Sequence, residues 1–154
     1  MADDQRIQAT RTIEAPTTAV FDVLSNPARH AELDGSGFVI SDEKTDRITA
    51  VGQTFRMNMQ GPHMGGEYQT DNVVTGYDQN HLLAWRTAPA GQEPPGWEWV
   101  WQLTANGADA TDVTVVYDWS EVTDPDLLKK ITFPLVPQEA LESSLGKLAE
   151  AVSG

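Results

Sequence analysis

Residues 97–120 read WEWVWQLTANGADATDVTVVYDWS, and this stretch decides the fold. Trp97, Trp99, Trp101 and Leu103 alternate with Glu98, Val100 and Gln102. A period of two collects the large apolar side chains on one face only if the backbone is extended. Asn106-Gly107 then supplies a turn signal, and the alternation resumes with Val113, Val115, Tyr117 and Trp119 against Thr114, Val116, Asp118 and Ser120. Two alternating runs around such a turn make an antiparallel hairpin. An aromatic side chain buries about 150–250 Å². So many on a water-facing surface would invite aggregation, so these faces are expected to point inward.

The same pattern extends upstream. Phe55, Met57 and Met59 alternate with Arg56, Asn58 and Gln60, and Leu83 and Trp85 continue the apolar stripe. Strands are expected near 37–44, 53–60, 66–76, 82–88, 97–104 and 112–120. Turn signals separate them: Gly61-Pro62 with Gly65-Gly66, Asp78-Gln79-Asn80, Pro94-Pro95-Gly96 and Asn106-Gly107. Gln5 to Glu14 alternates too, with Ile7, Ala9, Arg11 and Ile13 in one phase, and adds a seventh strand. The spacing suits hairpins rather than β-α-β crossovers.

Helices flank this β region. Pro16 suits a helix's first turn, Val20, Val23 and Leu24 give that helix an apolar stripe, and Asn26-Pro27 ends it. Asn26 is expected to cap a short second helix over roughly 27–33. Leu141, Leu145, Leu148 and Val152 form one face of a C-terminal helix that starts near Pro137. A further helical stretch is expected over 126–133, separated from it by Pro134 and Pro137.

The 154 residues suit one domain over 1–154, able to bury about two thirds of the surface its unfolded chain exposes. Ten Lys plus Arg against 23 Asp plus Glu give a net charge of −13, which opposes nucleic-acid phosphates and anionic lipid. The absence of cysteine excludes disulfides and thiolate chemistry. With no long apolar run and an acidic, polar start, the expectation is a cytoplasmic protein without membrane insertion.

One long apolar helix cannot fill the inward surface of seven strands. Either the sheet closes tightly and these side chains are ordinary core, or it bends round a cavity walled by deformable Met and by Trp and Tyr with their polar tips; the cavity is the reading favoured here. Phe55, Met57, Met59, Tyr68, Trp85 and Trp99 are the expected ligand-binding residues on the earlier strands. Trp101, Tyr117 and Trp119 continue the wall, and Leu141 and Leu145 close it from the C-terminal helix; Trp97 is expected at the rim.

Catalytic signals are sparse. His30, His63 and His81 have no metal-ligand spacing, so no metal site is expected. No phosphate loop, dinucleotide glycine motif or GxSxG motif occurs, and no cofactor is expected. Arg11 and Tyr68 are the weak catalytic candidates. Arg11 shares a phase with Ile7 and Ile13, unusual for a charge; Glu67 and Arg86 fall in the opposite phase to Tyr68 and Trp85 and read as surface.

Several stretches also resemble one superfamily. Ile13-Glu14-Ala15-Pro16 with Val20-Phe21-Asp22-Val23-Leu24-Ser25-Asn26-Pro27 is similar to the opening of START and polyketide-cyclase-like (SRPBCC) proteins. Val51-Gly52-Gln53-Thr54-Phe55-Arg56-Met57, Leu83-Ala84-Trp85 and Ala140-Leu141-Glu142-Ser143-Ser144-Leu145 carry the resemblance onward. It implies the α+β helix-grip fold, a curved seven-stranded antiparallel sheet wrapped on a long C-terminal helix. It leaves three functions open: a carrier of a small hydrophobic or aromatic molecule, a cyclase or dehydratase acting on one, and an interaction module of the heat-shock-activator type.

Overall fold

The computed structural model describes residues 6–33, 39–42, 47–61, 65–91, 96–123, 125 and 138–153. The elements are β1 (Arg6–Ile13), α1 (Thr17–Leu24), a 3-10 turn (Pro27–Arg29) running into α2 (His30–Leu33), then β2 (Val39–Asp42) and β3 (Thr54–Gly61). After these come β4 (Gly66–Asp78), β5 (Leu82–Pro89), β6 (Glu98–Ala105), β7 (Thr111–Asp118) and α3 (Gln138–Ser153). The strands form one antiparallel sheet in the order β1-β7-β6-β5-β4-β3-β2. β1 and β2 thus lie at opposite edges, and the chain between them carries α1 and α2 from one edge to the other.

Each helix start has a local cause. Pro16 stands at the N-cap of α1, one position before the expected first turn, and its carbonyl accepts from the Ala19 and Val20 amides. The Asn26 side chain accepts from the Ala28 amide at 3.1 Å, the expected cap, but the first turn is 3-10 and becomes α-helical only at His30. Pro137 and the helical stretch expected over 126–133 lie outside the described residues.

The core is the inward face of the sheet together with the apolar faces of the helices. α1 buries Val20, Phe21, Val23 and Leu24, and Phe21 meets Tyr77 of β4 edge-on at 5.6 Å. α3 buries Leu141, Leu145 and Leu148; each such burial is worth about 1.5–3 kcal/mol. This helix lies closest to β1, α1 and α2, with a smaller approach to β7.

Two irregularities bend the sheet. β4 shifts register between Val74 and Gly76, and β2 between Val39 and Ser41. Such bulges increase the local twist of a strand. The backbone also closes tightly at Gly96, where φ is +132° and a Cβ would lie 2.5 Å from the Glu121 carbonyl oxygen. Only glycine fits there, and the approach holds the start of β6 against the segment leaving β7.

Candidate functional site

In an antiparallel sheet, directly opposed residues project to the same face. One row runs Val74–Trp85–Trp99–Tyr117–Ile7 across β4, β5, β6, β7 and β1. The next runs Leu83–Trp101–Val115–Ala9. On the other half, Phe55 opposes Asn72, Met57 opposes Thr70, and Met59 opposes Tyr68. Alternation alone therefore brought the sheet residues among the expected ligand-binding positions onto one face, with Trp119 two residues beyond Tyr117 in the same phase.

The rings on this face touch in sequence. Trp99 stacks on Tyr117 with centroids 4.3 Å apart and planes 12° apart, and Tyr117 meets Trp119 at 5.4 Å. Trp85 meets Phe55 edge-on at 5.5 Å. Phe55, Met57, Trp101, Tyr117 and Trp119 are buried, whereas Met59, Tyr68, Trp85 and Trp99 are half-buried. The half-buried residues are two opposed pairs, Met59 with Tyr68 and Trp85 with Trp99. Trp97, expected at the rim, is half-buried as well.

Leu141 and Leu145 are buried at 1% exposure each, on a helix nearest β1 and the two short helices. They stand at the β1–β7 side of the concavity rather than over its middle. Arg11 is exposed on edge strand β1, with its guanidinium 3.8 Å from where a Gly146 Cβ would stand. It is four strand intervals from Tyr68 in the sheet order, so the structure does not bring the two weak catalytic candidates together. Glu67 and His81 are exposed, His63 lies outside the described residues, and Arg86 reaches Glu98 at 3.9 Å.

Four polar residues of this face were missed in the sequence. Thr70, Asn72 and Thr87 are buried and bonded to one another. Asn72 donates to the Phe55 carbonyl at 3.2 Å and to Thr70 Oγ1 at 3.3 Å, while Thr87 donates to Asn72 Oδ1 at 2.6 Å. His30 lies flat against Trp85 at 5.2 Å and edge-on to Phe55 at 5.5 Å, and its Nε2 donates to the Leu24 carbonyl at 2.7 Å. A carbonyl can only accept, so this bond places a proton on Nε2. The signal for Thr70 and Asn72 was present: they share the phase of Tyr68 and Val74. For His30 the helix is too short to define a face.

Two side chains give the apolar wall its polarity. Trp101 is 6% exposed, and its indole N–H has no hydrogen-bond partner among the described residues. An unsatisfied buried donor costs about 1–3 kcal/mol. Burial pushes the Tyr117 phenol well above the ordinary tyrosine range, with a smaller contribution from the nearby Tyr68 phenol. Tyr68 and Tyr117 lie on strands three intervals apart, about 14 Å along a flat sheet. Among the described residues no three His, Asp or Glu side chains are grouped to hold a metal.

A curved seven-stranded antiparallel sheet, two short helices after the first strand and a long C-terminal helix define the helix-grip fold of the SRPBCC superfamily. Residues 14–153 match the family described as Activator of Hsp90 ATPase homolog 1-like protein, and the chain belongs to that family. An uncharacterized protein of Mycobacterium tuberculosis, Rv0088, is 30% identical over 114 residues, covering 74% of this chain and 47% of that protein. The chain thus spans about half the length of the curated relatives it matches. Among solved structures, protein Ms6760 from Mycobacterium smegmatis superposes with a TM-score of 0.70 at 17% identity, covering 99% of this chain and 94% of that one. A protein from Arthrobacter aurescens gives 0.72 at 13% identity, covering 99% and 88%. DynU16, from the dynemicin biosynthetic locus, gives 0.63 at 20% identity, covering 97% of this chain and 48% of that one. These likenesses establish the fold.

Proposed function

We propose that this protein binds a small hydrophobic or aromatic molecule on the concave face of its sheet, on the side facing α3. The observation that carries the reading is the pairing of Met59 with Tyr68 and Trp85 with Trp99. These large side chains remain half-buried beside Phe55, Met57, Trp101 and Tyr117, which are buried. An aromatic floor with partly open aromatic and thioether walls suits a planar apolar ligand.

A cyclase or dehydratase acting on such a ligand is the second reading. It draws on the likeness to DynU16 and on the tyrosines Tyr68 and Tyr117 of the same face. Against a proton-shuttling role, Tyr117 is held protonated at neutral pH, and Arg11 stands apart from Tyr68. Residues suited to donating hydrogen bonds favour holding a ligand over exchanging protons with it. The family's name also raises interaction with a chaperone ATPase; among the described residues the exposed large hydrophobic side chains are Ile40 and Val51.

Titration with the uncharged probe N-phenyl-1-naphthylamine tests the binding reading. Saturable quenching of tryptophan emission, with probe fluorescence rising in parallel, is expected because Trp85, Trp99 and Trp101 all border the site. A response that stays linear with probe concentration would refute it.

A further inference from the structure

The proposed ligand site contains one donor that the described residues leave unengaged, the Trp101 indole N–H, and beside it the buried phenol of Tyr117. Trp101 and Tyr117 are diagonal neighbours on the inward face: Trp101 opposes Val115, and Tyr117 lies two residues further along β7. Diagonal pairs of this kind fall within reach of aromatic side chains. The Trp101 indole N–H is buried without a partner among the described residues, while Tyr117 is packed between the rings of Trp99 and Trp119. An indole nitrogen can only donate, and a protonated phenol offers a donor as well.

The charges around these donors restrict what they can receive. Arg11, the cation in phase with this face, is exposed at the sheet's edge beside α3. The proton on His30 Nε2 is committed to the Leu24 carbonyl. Asp42 of β2 stands opposite Met57, and the whole chain carries −13. Among the described strand residues in phase with this face, Arg11 at the edge is the only lysine or arginine, so a ligand carboxylate would find no fixed counter-charge on these strands beside Trp101 and Tyr117, and burying a charge without one is strongly disfavoured.

Resting on the ligand-site reading above, we infer that the Trp101 indole N–H and the Tyr117 hydroxyl form a two-donor anchor for a neutral acceptor oxygen on an aromatic ligand. The class is aromatic ketones and quinones, as distinct from bare aromatic hydrocarbons and from aromatic or fatty carboxylates. The rings of Trp99, Trp85 and Phe55 take the ligand's faces and edges, and the anchor fixes which end enters.

Three probes of nearly the same shape separate these cases: fluorene, 9-fluorenone and fluorene-9-carboxylate. Binding to the full chain is followed by tryptophan emission and checked by calorimetry. Fluorenone is expected to bind about threefold to tenfold more tightly than fluorene, the gain of one or two neutral hydrogen bonds, and the carboxylate more weakly than either. Trp101→Phe keeps an aromatic ring and removes the N–H; whatever it does to apolar affinity, it should bring the ratio of fluorenone to fluorene affinity, measured in the same variant, close to one. Tyr117→Phe should reduce that preference independently, which keeps the test available if one variant folds poorly. Equal affinity for fluorene and fluorenone in the parent overturns the anchor but leaves the ligand site standing. A preference that survives both substitutions, or a carboxylate that binds as tightly as the ketone, also overturns it. If none of the three binds, the ligand-site reading fails and the anchor with it.

Discussion

Asp71 on the convex side of β4 is held by three donors. Arg56 reaches it through Nε at 2.7 Å and Nη2 at 3.1 Å, and the Gly91 amide donates at 2.9 Å. The bond from Arg56 is the main cause of a carboxyl held below its ordinary range; the Gly91 amide adds to it, and partial burial opposes it. A group whose folded-state value is lowered contributes stability above its unfolded value and loses it as the pH falls through the folded value. Arg56 is 44% exposed, so the contribution is screened and amounts to about 1 kcal/mol or less. Asp71→Asn is therefore expected to lower stability slightly at pH 7, with the difference starting to shrink near the unfolded value, about pH 4, and vanishing only below the lowered folded value. Urea melts of both proteins at pH 7 and at pH 3 measure it; a constant difference would mean the charge is irrelevant. At this scale the sequence was only partly legible. The apolar residues announced their face by phase, but Thr70, Asn72 and Thr87 share that phase and are polar. A polar residue in a strand reads as solvent-facing until its hydrogen-bond partners on β3 and β5 are known.

The elements were more readable than the residues. Six strands lie within about two residues of their expected bounds, because alternation between large apolar and polar side chains is strong in each. β2, expected over 37–44, is described only for Val39–Asp42. β4 runs to Asp78 instead of ending near 76, and the bulge between Val74 and Gly76 explains why. It breaks the period of two, so Tyr77, three residues after Val74, still turns inward to meet Phe21. Nothing in an alternation count anticipates such an insertion. For α3 the heptad-like spacing sufficed to place Leu141, Leu145 and Leu148 on one buried face, although not to say which strands they meet. Leu145→Asp should cost several kcal/mol, since a buried carboxylate there gains no counter-charge. In a domain of this size that lowers Tm by roughly 10 °C. Ser143→Asp on the exposed side of the same helix should stay within about 0.5 kcal/mol, so a thermal melt of the two variants separates burial from added charge. Matching melts would mean that α3 is not packed as described.

Curvature belongs to the whole molecule, and on it depends whether the aromatic face encloses usable space. No single strand specifies it: bulges in β2 and β4, the crossing of α1 and α2 between opposite edges, and α3 seated toward β1 act together. Their joint result is that α3 leaves the β3–β4 end of the concave face less covered, and there Met59 stands half-buried between Tyr68 and Val39. Enlarging this side chain distinguishes a filled interior from an open one. In a close-packed core, Met59→Trp would force neighbours off their rotamers at a cost of about 1–3 kcal/mol. If the space beside Met59 is open to a ligand, the indole occupies it, and stability stays within about 0.5 kcal/mol, as for a tolerated surface change. Probe binding must then weaken, because the indole and the probe compete for one volume. The expected outcome is therefore a parent-like melt with N-phenyl-1-naphthylamine affinity reduced severalfold. A destabilised variant with unchanged probe affinity would place the ligand elsewhere and return Met59 to the solid core.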